Sequence, residues 1–341
     1  MSDTAKRRAA VIYNPVKVDV EELRAAVAAE PGTEGWAETR WFATTEDDPG
    51  TGQANQALEE GADLVIAAGG DGTVRAVAQV VAGSSASLAL LPSGTGNLLA
   101  RNLDLTLDDL GNSIRVAFTG VDRRIDLAWT DIRREDGKVE RQAFLVMAGL
   151  GLDAKMLSHT DEDLKAKVGW LAYVDAIRKA LRDKNRLRMR YRLDRHGTRA
   201  VSAHTLIIGN CGSLPANILL LPTAAIDDGR FEAVFLRPES AWGWLQIFVK
   251  VVWENGVLRR TKLGRKLVSP DVDAIRYVKG NRMDVVLSRP EELELDGDGF
   301  GRTQAFRTWI EAGGLAVRVP PESEEAAETE PASAEEASTS A

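Results

Sequence analysis

Residues 63–103, DLVIAAGGDGTVRAVAQVVAGSSASLALLPSGTGNLLARNL, constrain the fold more than any other part of the chain. Two short apolar runs, 64–68 and 88–91, each lead into a glycine-rich loop, and each loop leads into a helical pattern. Buried strands that feed glycine loops and then helices are the grammar of a parallel α/β sheet. Such a sheet presents its ligand site at the carboxyl ends of its strands. The first loop is Gly69-Gly70-Asp71-Gly72-Thr73 and the second is Ser93-Gly94-Thr95-Gly96-Asn97.

The same grammar extends upstream. Residues 9–13 read as a first strand ended by Asn14-Pro15, because proline removes a donor and restricts its neighbour. Residues 21–29 read as a helix, 39–43 as a strand and 53–60 as a helix, with the polar loop 46–50 between the last two. Residues 74–81 carry the next helix and 107–118 one more. Repeated β-loop-α units predict a three-layer sandwich with right-handed crossovers and all its loops on one edge.

Beyond residue 125 strands dominate: 125–132, 142–148, 187–193, 204–209, 231–236, 283–288, 293–295 and 315–319. That spacing predicts a β-rich, antiparallel sandwich. Two amphipathic patterns interrupt it. One holds Val168, Leu171, Val174, Ile177 and Leu181. The other holds Trp242, Leu245, Val249 and Val252, followed by the basic run Arg259, Arg260, Lys262, Arg265 and Lys266. The second pattern suits either a helix packed on a sheet or an interfacial patch facing acidic lipid. From Pro320 the chain is Pro, Glu, Ala, Ser and Thr without periodicity, which predicts a disordered acidic tail.

Composition narrows the classes. A single cysteine, Cys211, excludes an internal disulfide and a cysteine metal cage. A reducing, cytoplasmic setting fits. A formal net charge of -8 argues against broad nucleic-acid binding. The chain has neither a secretory leader pattern nor an apolar run of about 18 residues, so the expectation is a protein that does not span a membrane.

The chemistry lies in the loops. Glycines allow close backbone approach to a bulky anion, and amides at a helix start can hold phosphate. Thr73 adds a hydroxyl. Asp71 is out of place beside phosphate unless it meets a magnesium ion, a water on one, or an attacking hydroxyl. The second loop lacks the lysine of a Walker loop and is not a Gly-x-Gly-x-x-Gly fingerprint. Thr95 and Asn97 can bind phosphate, or Asn97 can cap the helix after it. Two acidic clusters follow, Asp227-Asp228-Gly229 and Asp296-Gly297-Asp298-Gly299. Each is most simply a hairpin turn, or, in a phosphoryl-transfer enzyme, a source of metal-binding and proton-accepting carboxylates.

In order along the chain, IYNP at 12–15, ATT at 43–45, GGDGTV at 69–74, PSGTGNLLAR at 92–101, AGLGLDA at 148–154, DDG at 227–229 and LDGDG at 295–299 resemble the diacylglycerol kinase catalytic family. The likeness covers about residues 9–319. It implies an α/β fold in two domains. The first, 1–125, would be an NAD kinase-like, ATP-binding α/β domain, with a closing strand that can return from 310–319. The second, 126–319, would be a β-rich antiparallel sandwich for the lipid substrate, and 320–341 the tail.

The resemblance implies ATP and Mg2+ as cofactors and transfer of the γ-phosphate to the hydroxyl of diacylglycerol or a related lipid. Alternatives are a sphingoid base, a soluble polyol or nucleotide as acceptor, and a non-catalytic regulator. It implies ATP contacts at Asn14, Pro15, Thr44, Thr45, Gly69, Gly70, Asp71, Gly72, Thr73, Arg75, Gly94, Thr95 and Asn97. Lys17 stands where many members have small residues, and either faces phosphate or is solvated. Asp228, with Asp227, matches a structural magnesium site. The family's catalytic glutamate is replaced by Asp298, with Asp296 beside it; in the sphingosine branch the base matches Asp71. The enzyme would be cytoplasmic and peripheral, taking lipid from a membrane surface, with a homodimer left open.

Overall fold

The computed structural model describes residues 6–151, 186–214, 218–219, 221, 223–238, 242–243, 246–247 and 274–321. The helix read at 168–181, the basic run 259–266 and the tail from 322 lie outside the described residues. So does most of the pattern that begins at Trp242.

The first half follows the β-loop-α reading. Strands β1 (Ala9–Tyr13), β2 (Arg40–Ala43), β3 (Leu64–Gly69) and β4 (Ser87–Pro92) are parallel, in the spatial order β2-β1-β3-β4. Between and after them run α1 (Val20–Ala29), α2 (Thr51–Glu59), α3 (Asp71–Val81), α4 (Leu98–Asn102) and α5 (Leu110–Thr119). The side-chain alternation of the strands sorts the helices onto two faces. Ala9, Val11, Leu64, Ile66, Ala89 and Leu91 pack against Leu23 and Val27 of α1 and Ile114 and Phe118 of α5. Ala10, Ile12, Val65, Ala67, Leu88 and Leu90 face Ala54 and Ala57 of α2 and Val77, Ala78 and Val81 of α3. β1, β3 and β4 are buried on both phases because both faces are covered, whereas the edge strand β2 is only half-buried.

The second half contains β5 (Val121–Arg133), β6 (Val139–Phe144), β7 (Met147–Leu150), β8 (Leu187–Leu193), β9 (Arg199–Ala203) and β10 (Thr205–Gly209). Then come the short pair β11 (Ser213–Leu214) and β12 (Ile218–Leu219), followed by β13 (Phe231–Leu236), β14 (Ile275–Gly280), β15 (Arg282–Leu295) and β16 (Asp298–Val319). Three readings of the sequence change here. The strand expected at 142–148 is two strands, β6 and β7. The runs 283–288 and 293–295 belong to one strand, β15, which carries register shifts between Val286 and Glu291 and between Glu292 and Glu294. The run 315–319 is only the end of β16, which spans 22 residues.

The β-rich half is not a detached sandwich at the level of hydrogen bonding. Among the described residues one 14-stranded mixed sheet takes in all strands but β11 and β12. β16 makes the join: it pairs with β15 and β5 antiparallel and with β4 in parallel, Val317 opposite Leu88. Phe144, Phe231, Phe235, Tyr191 and Leu295 fill a second core beneath these strands.

Helix α5 ends against the same seam. Gly120 lies between the carbonyls of Val116 and Val319, and a methyl group there would overlap both oxygens. Backbone cannot give way as a flexible side chain can. Gly120→Ala is therefore expected to lower the unfolding free energy by about 1–3 kcal/mol. Urea denaturation should show a lower midpoint with an unchanged slope.

Candidate functional site

Three strand ends converge. At the end of β1 the Asn14 amide donates to the Ala68 carbonyl (2.9 Å), and Asn14 Oδ1 accepts from the Val16 amide (3.0 Å). This side-chain turn leaves Pro15 exposed and sends Lys17 toward the first glycine loop. A methyl group on Gly70 would stand 2.8 Å from Lys17 Nζ. Thr44 is buried at the end of β2, its amide on the Tyr13 carbonyl, and Thr45 Oγ1 accepts from the Asp48 amide.

The loop after β3 is shorter than its motif suggests. Gly69 closes the strand and Gly70 is the N-cap, so Asp71, Gly72 and Thr73 already form the first turn of α3. No side chain caps that turn. Its amides lie at the positive end of an 11-residue helix. A side chain at Gly69 would meet the Thr73 hydroxyl 2.8 Å away, and one at Gly94 would stand 2.9 Å from Gly70 Cα. At Gly94 glycine is required because the two loops touch backbone to backbone.

Asn97 does not cap the helix that follows it. It is left-handed, with φ 46°. Its side chain folds back on the loop, accepting from the Gly94 amide (3.0 Å) and donating to the Gly94 carbonyl (2.8 Å). Asp71 supplies the cap instead: its Oδ1 accepts from the Leu98 amide at 2.6 Å. Burial pushes the Asp71 carboxyl above its ordinary value. The Leu98 and Asn97 amides and Lys17 pull the other way, and Asp298 adds to the rise. Thr95 is exposed at the loop tip.

Asp298 reaches this place from the far end of the chain. Its Oδ2 accepts from Arg75 at 3.0 Å, and a methyl group on Gly72 would stand 2.8 Å from the same oxygen. The Arg75 side chain is 8% exposed and lies 4.5 Å from the Phe300 ring, whereas the Asp298 side chain is 49% exposed. A buried cation thus positions an accessible carboxylate over the start of α3.

Its neighbour Asp296 has a different place. Asp296 and Gly297 have φ of 50° and 90° and join the paired residues Leu295 and Asp298 as a two-residue hairpin turn. The Asp296 carboxylate is buried and accepts from the amides of Leu145, Val146 and Met147 (2.8, 2.8 and 3.0 Å). Burial raises its pKa to about 6 against the lowering effect of those amides.

Asp227 and Asp228 lie elsewhere. Asp227 pairs with Arg123 (2.7 Å); Asp228 pairs with Lys279 (2.7 Å) and accepts from the Arg230 amide. The turn is anchored by buried Asp126, which accepts from the Gly229 and Gly313 amides. Gly314 meets Gly83, which precedes β4, so this turn is at the amino-terminal side of the parallel strands, opposite the glycine loops. With each carboxylate held by a cation, the pair as arranged does not fit a metal ion. No cluster of three or more possible metal ligands occurs among the described residues.

Residues 8–130 match the diacylglycerol kinase catalytic domain. Over that segment the chain resembles this family. It is 27% identical over 298 residues to the diacylglycerol kinase of Bacillus subtilis (strain 168), covering 86% of this chain and 91% of that one. A solved diacylglycerol kinase structure from Bacillus anthracis str. Sterne superposes with a TM-score of 0.61 at 18% identity, over 94% of this chain and 99% of that one. Yeast NADH kinase gives 0.51 at 10% identity, over 94% and 85%. The last two likenesses speak for the fold: a mixed α/β sheet shared with diacylglycerol kinases and an NADH kinase. Within it, the family domain ends in β5, so Arg75 and both glycine loops lie inside it and Asp298 outside.

Arg75 was legible only as a phosphate contact, not as the partner that orients Asp298. Asp126 was missed altogether. Its signal was there: a carboxylate inside the apolar run Ile125 to Ala128, where every residue is buried.

The Asp296 pKa yields a test with a definite sign. Between about pH 4 and 6 the native state retains a proton that the unfolded chain releases, so this group's contribution to stability falls as pH rises. Asp296→Asn cannot titrate. The stability advantage of the native chain over this variant should therefore narrow by roughly 2 kcal/mol from pH 4 to pH 7 in paired denaturant titrations.

Proposed function

We propose that the protein is an ATP- and magnesium-dependent lipid kinase that transfers the γ-phosphate to a hydroxyl of diacylglycerol or a similar amphiphile. The observation that carries this reading is the convergence of an uncapped helix start, a second glycine loop, Lys17 and the Arg75-held Asp298 at one end of the parallel strands. The fit to nucleotide rests on backbone and charge: the uncapped start of α3, the second glycine loop packed against it, and Lys17 beside Gly70.

In this mechanism the α3 amides and Lys17 hold the phosphates, and Asn14, Thr44, Thr45 and Thr95 line the approach. The acceptor oxygen forms a bond to the γ-phosphorus as the bond to the β–γ bridging oxygen breaks, and the hydroxyl proton passes to a carboxylate. Asp298 is the better candidate for that carboxylate. It is accessible and oriented by Arg75, while Asp71 has one oxygen held by the Leu98 amide and is partly buried. Asp71 then positions the second loop against the first. Asp296 fixes the hairpin that carries Asp298. Magnesium, when bound with the nucleotide, neutralises phosphate charge. In this reading residues 1–125 hold the nucleotide and the β-rich residues 126–319 receive the acceptor. Peripheral attachment agrees with the finding that no described helix is long and apolar enough to cross a membrane.

The test is phosphoryl transfer from labelled ATP and magnesium to a total-lipid extract and, separately, to soluble polyols and nucleotides. A labelled lipid is expected, with Asp298→Ala lowering kcat by about 10²–10⁴-fold and Asp298→Glu retaining activity. Lys17→Ala should raise KM for ATP more than it lowers kcat. Label only in soluble acceptors would replace the lipid reading. ATP binding without any transfer would leave a regulator.

A further inference from the structure

A second basic site lies in the β-rich half. The β8–β9 turn, the β14–β15 turn and the residue before β13 border an open surface cavity of about 1050 Å3, lined by exposed Arg192, Arg195, His196, Arg230 and Arg282 and by half-buried Asp194, among others. Arg282 opens β15 and Asp298 pairs with its last residue, Leu295, so roughly 40 Å of extended strand separates this cavity from the carboxylate over α3.

The cavity is built rather than incidental. Asp194 takes a left-handed conformation (φ 50°), and its Oδ1 accepts from the Asn281 and Arg282 amides at 3.0 and 2.9 Å. That carboxylate clamps the two turns together. A side chain on Gly280 would meet Leu193 Cδ1 at 2.7 Å and Asp194 Oδ2 at 2.8 Å, so the two turns pack closely. Arg192 is held by Asp284, at 2.8 Å.

Arg195, Arg230 and Arg282 are different. Among the described residues their guanidinium groups have no carboxylate partner, in a chain whose formal net charge is -8. The only acidic side chain lining the cavity is Asp194, whose Oδ1 is already engaged by two amides. Three unpaired arginine forks around one cavity are the donor set for a group with several equatorial oxygens and a double negative charge. The volume exceeds that of a lone phosphate and admits the organic group attached to it.

We infer that this cavity is a second ligand site that binds phosphomonoester anions, either as a lipid headgroup or as a free phosphorylated metabolite. It stands on the geometry of the β-rich half alone and does not depend on the kinase reading.

The experiment measures binding, not transfer. Inorganic phosphate is titrated by calorimetry, and flotation is run with phosphatidylcholine vesicles with and without phosphatidic acid. The proteins are the native chain, Arg195→Gln/Arg282→Gln, and the control Arg188→Gln/Arg190→Gln, which removes the same charge from exposed positions outside the cavity. Unchanged far-ultraviolet circular dichroism and melting establish that each variant folds. The expected result is saturable binding weakened at least tenfold in the cavity variant and less than twofold in the control. Arg195→Lys should fall between, since it keeps charge and loses the fork. Loss in both arms identifies the phosphate group itself as the ligand. Loss confined to the vesicle arm identifies a lipid headgroup, and loss confined to the phosphate arm a soluble source. Equal weakening in the cavity and control variants, or no saturable binding in either arm, overturns the inference.

Discussion

A parallel four-strand sheet ends in an edge, and here the edge is β4, the strand that delivers the second glycine loop. An unpaired edge exposes backbone donors and acceptors. In this chain β16 takes that place, and the same strand goes on to pair with β5 and β15. The consequence is more than closure. The hairpin that starts β16 carries Asp298, so the strand that seals the parallel sheet also brings a carboxylate to the mouth of its loops. Gly120, wedged against the last carbonyl of β16, and Gly313, at the register shift with β5, show how closely the backbone must fit along it.

The charges at the mouth sort by burial. Arg75 is buried and aimed outward; Asp298 is its accessible end. Asp71 is more deeply set and fixed to the amide of Leu98, so it joins the two loops before any ligand arrives. Asp296, two residues from Asp298, contributes none of its oxygens to the mouth, because three amides of the β6–β7 connection take them. Two carboxylates in one Asp-Gly-Asp turn therefore have separate tasks. One holds the hairpin in place and the other is presented by it. The Asp227-Asp228 turn belongs to neither, lying at the opposite end of the strands with its own counter-ions.

The parallel half was legible almost residue by residue, because continuous apolar strands, helical periodicity and glycine loops are strong local signals. Strand 9–13 agrees at both ends. The GGDGT motif was readable as a loop, but its last three residues are helix, since glycine at the second helical position does not prevent a turn already nucleated by the strand end. The β-rich half was legible in its apolar cores and not in its continuity. β9 (RAVSA) is short and mostly small, and β16 contains Gly299, Gly301, Gly313 and Gly314, so neither presents clean alternation. The Arg75–Asp298 pair was hidden for a different reason: nothing local couples residues so far apart. The motif set named Asp71, Asp296 and Asp298 but could not say which of them would be buried, capped or exposed.

The span between Arg75 and Asp298, 223 residues, has a consequence for the order of assembly. Chains emerge from the ribosome amino end first, and early segments can begin to fold before later ones exist. The four parallel strands and both glycine loops are complete by residue 97, yet β4 has no partner on its outer side until β16 is made. During synthesis the framework of the two glycine loops thus precedes the carboxylate that reaches their mouth, and pairing of such high contact order forms slowly. A complete mouth is the last thing the chain acquires: an emerging protein can shape both glycine loops long before Asp298 reaches Arg75.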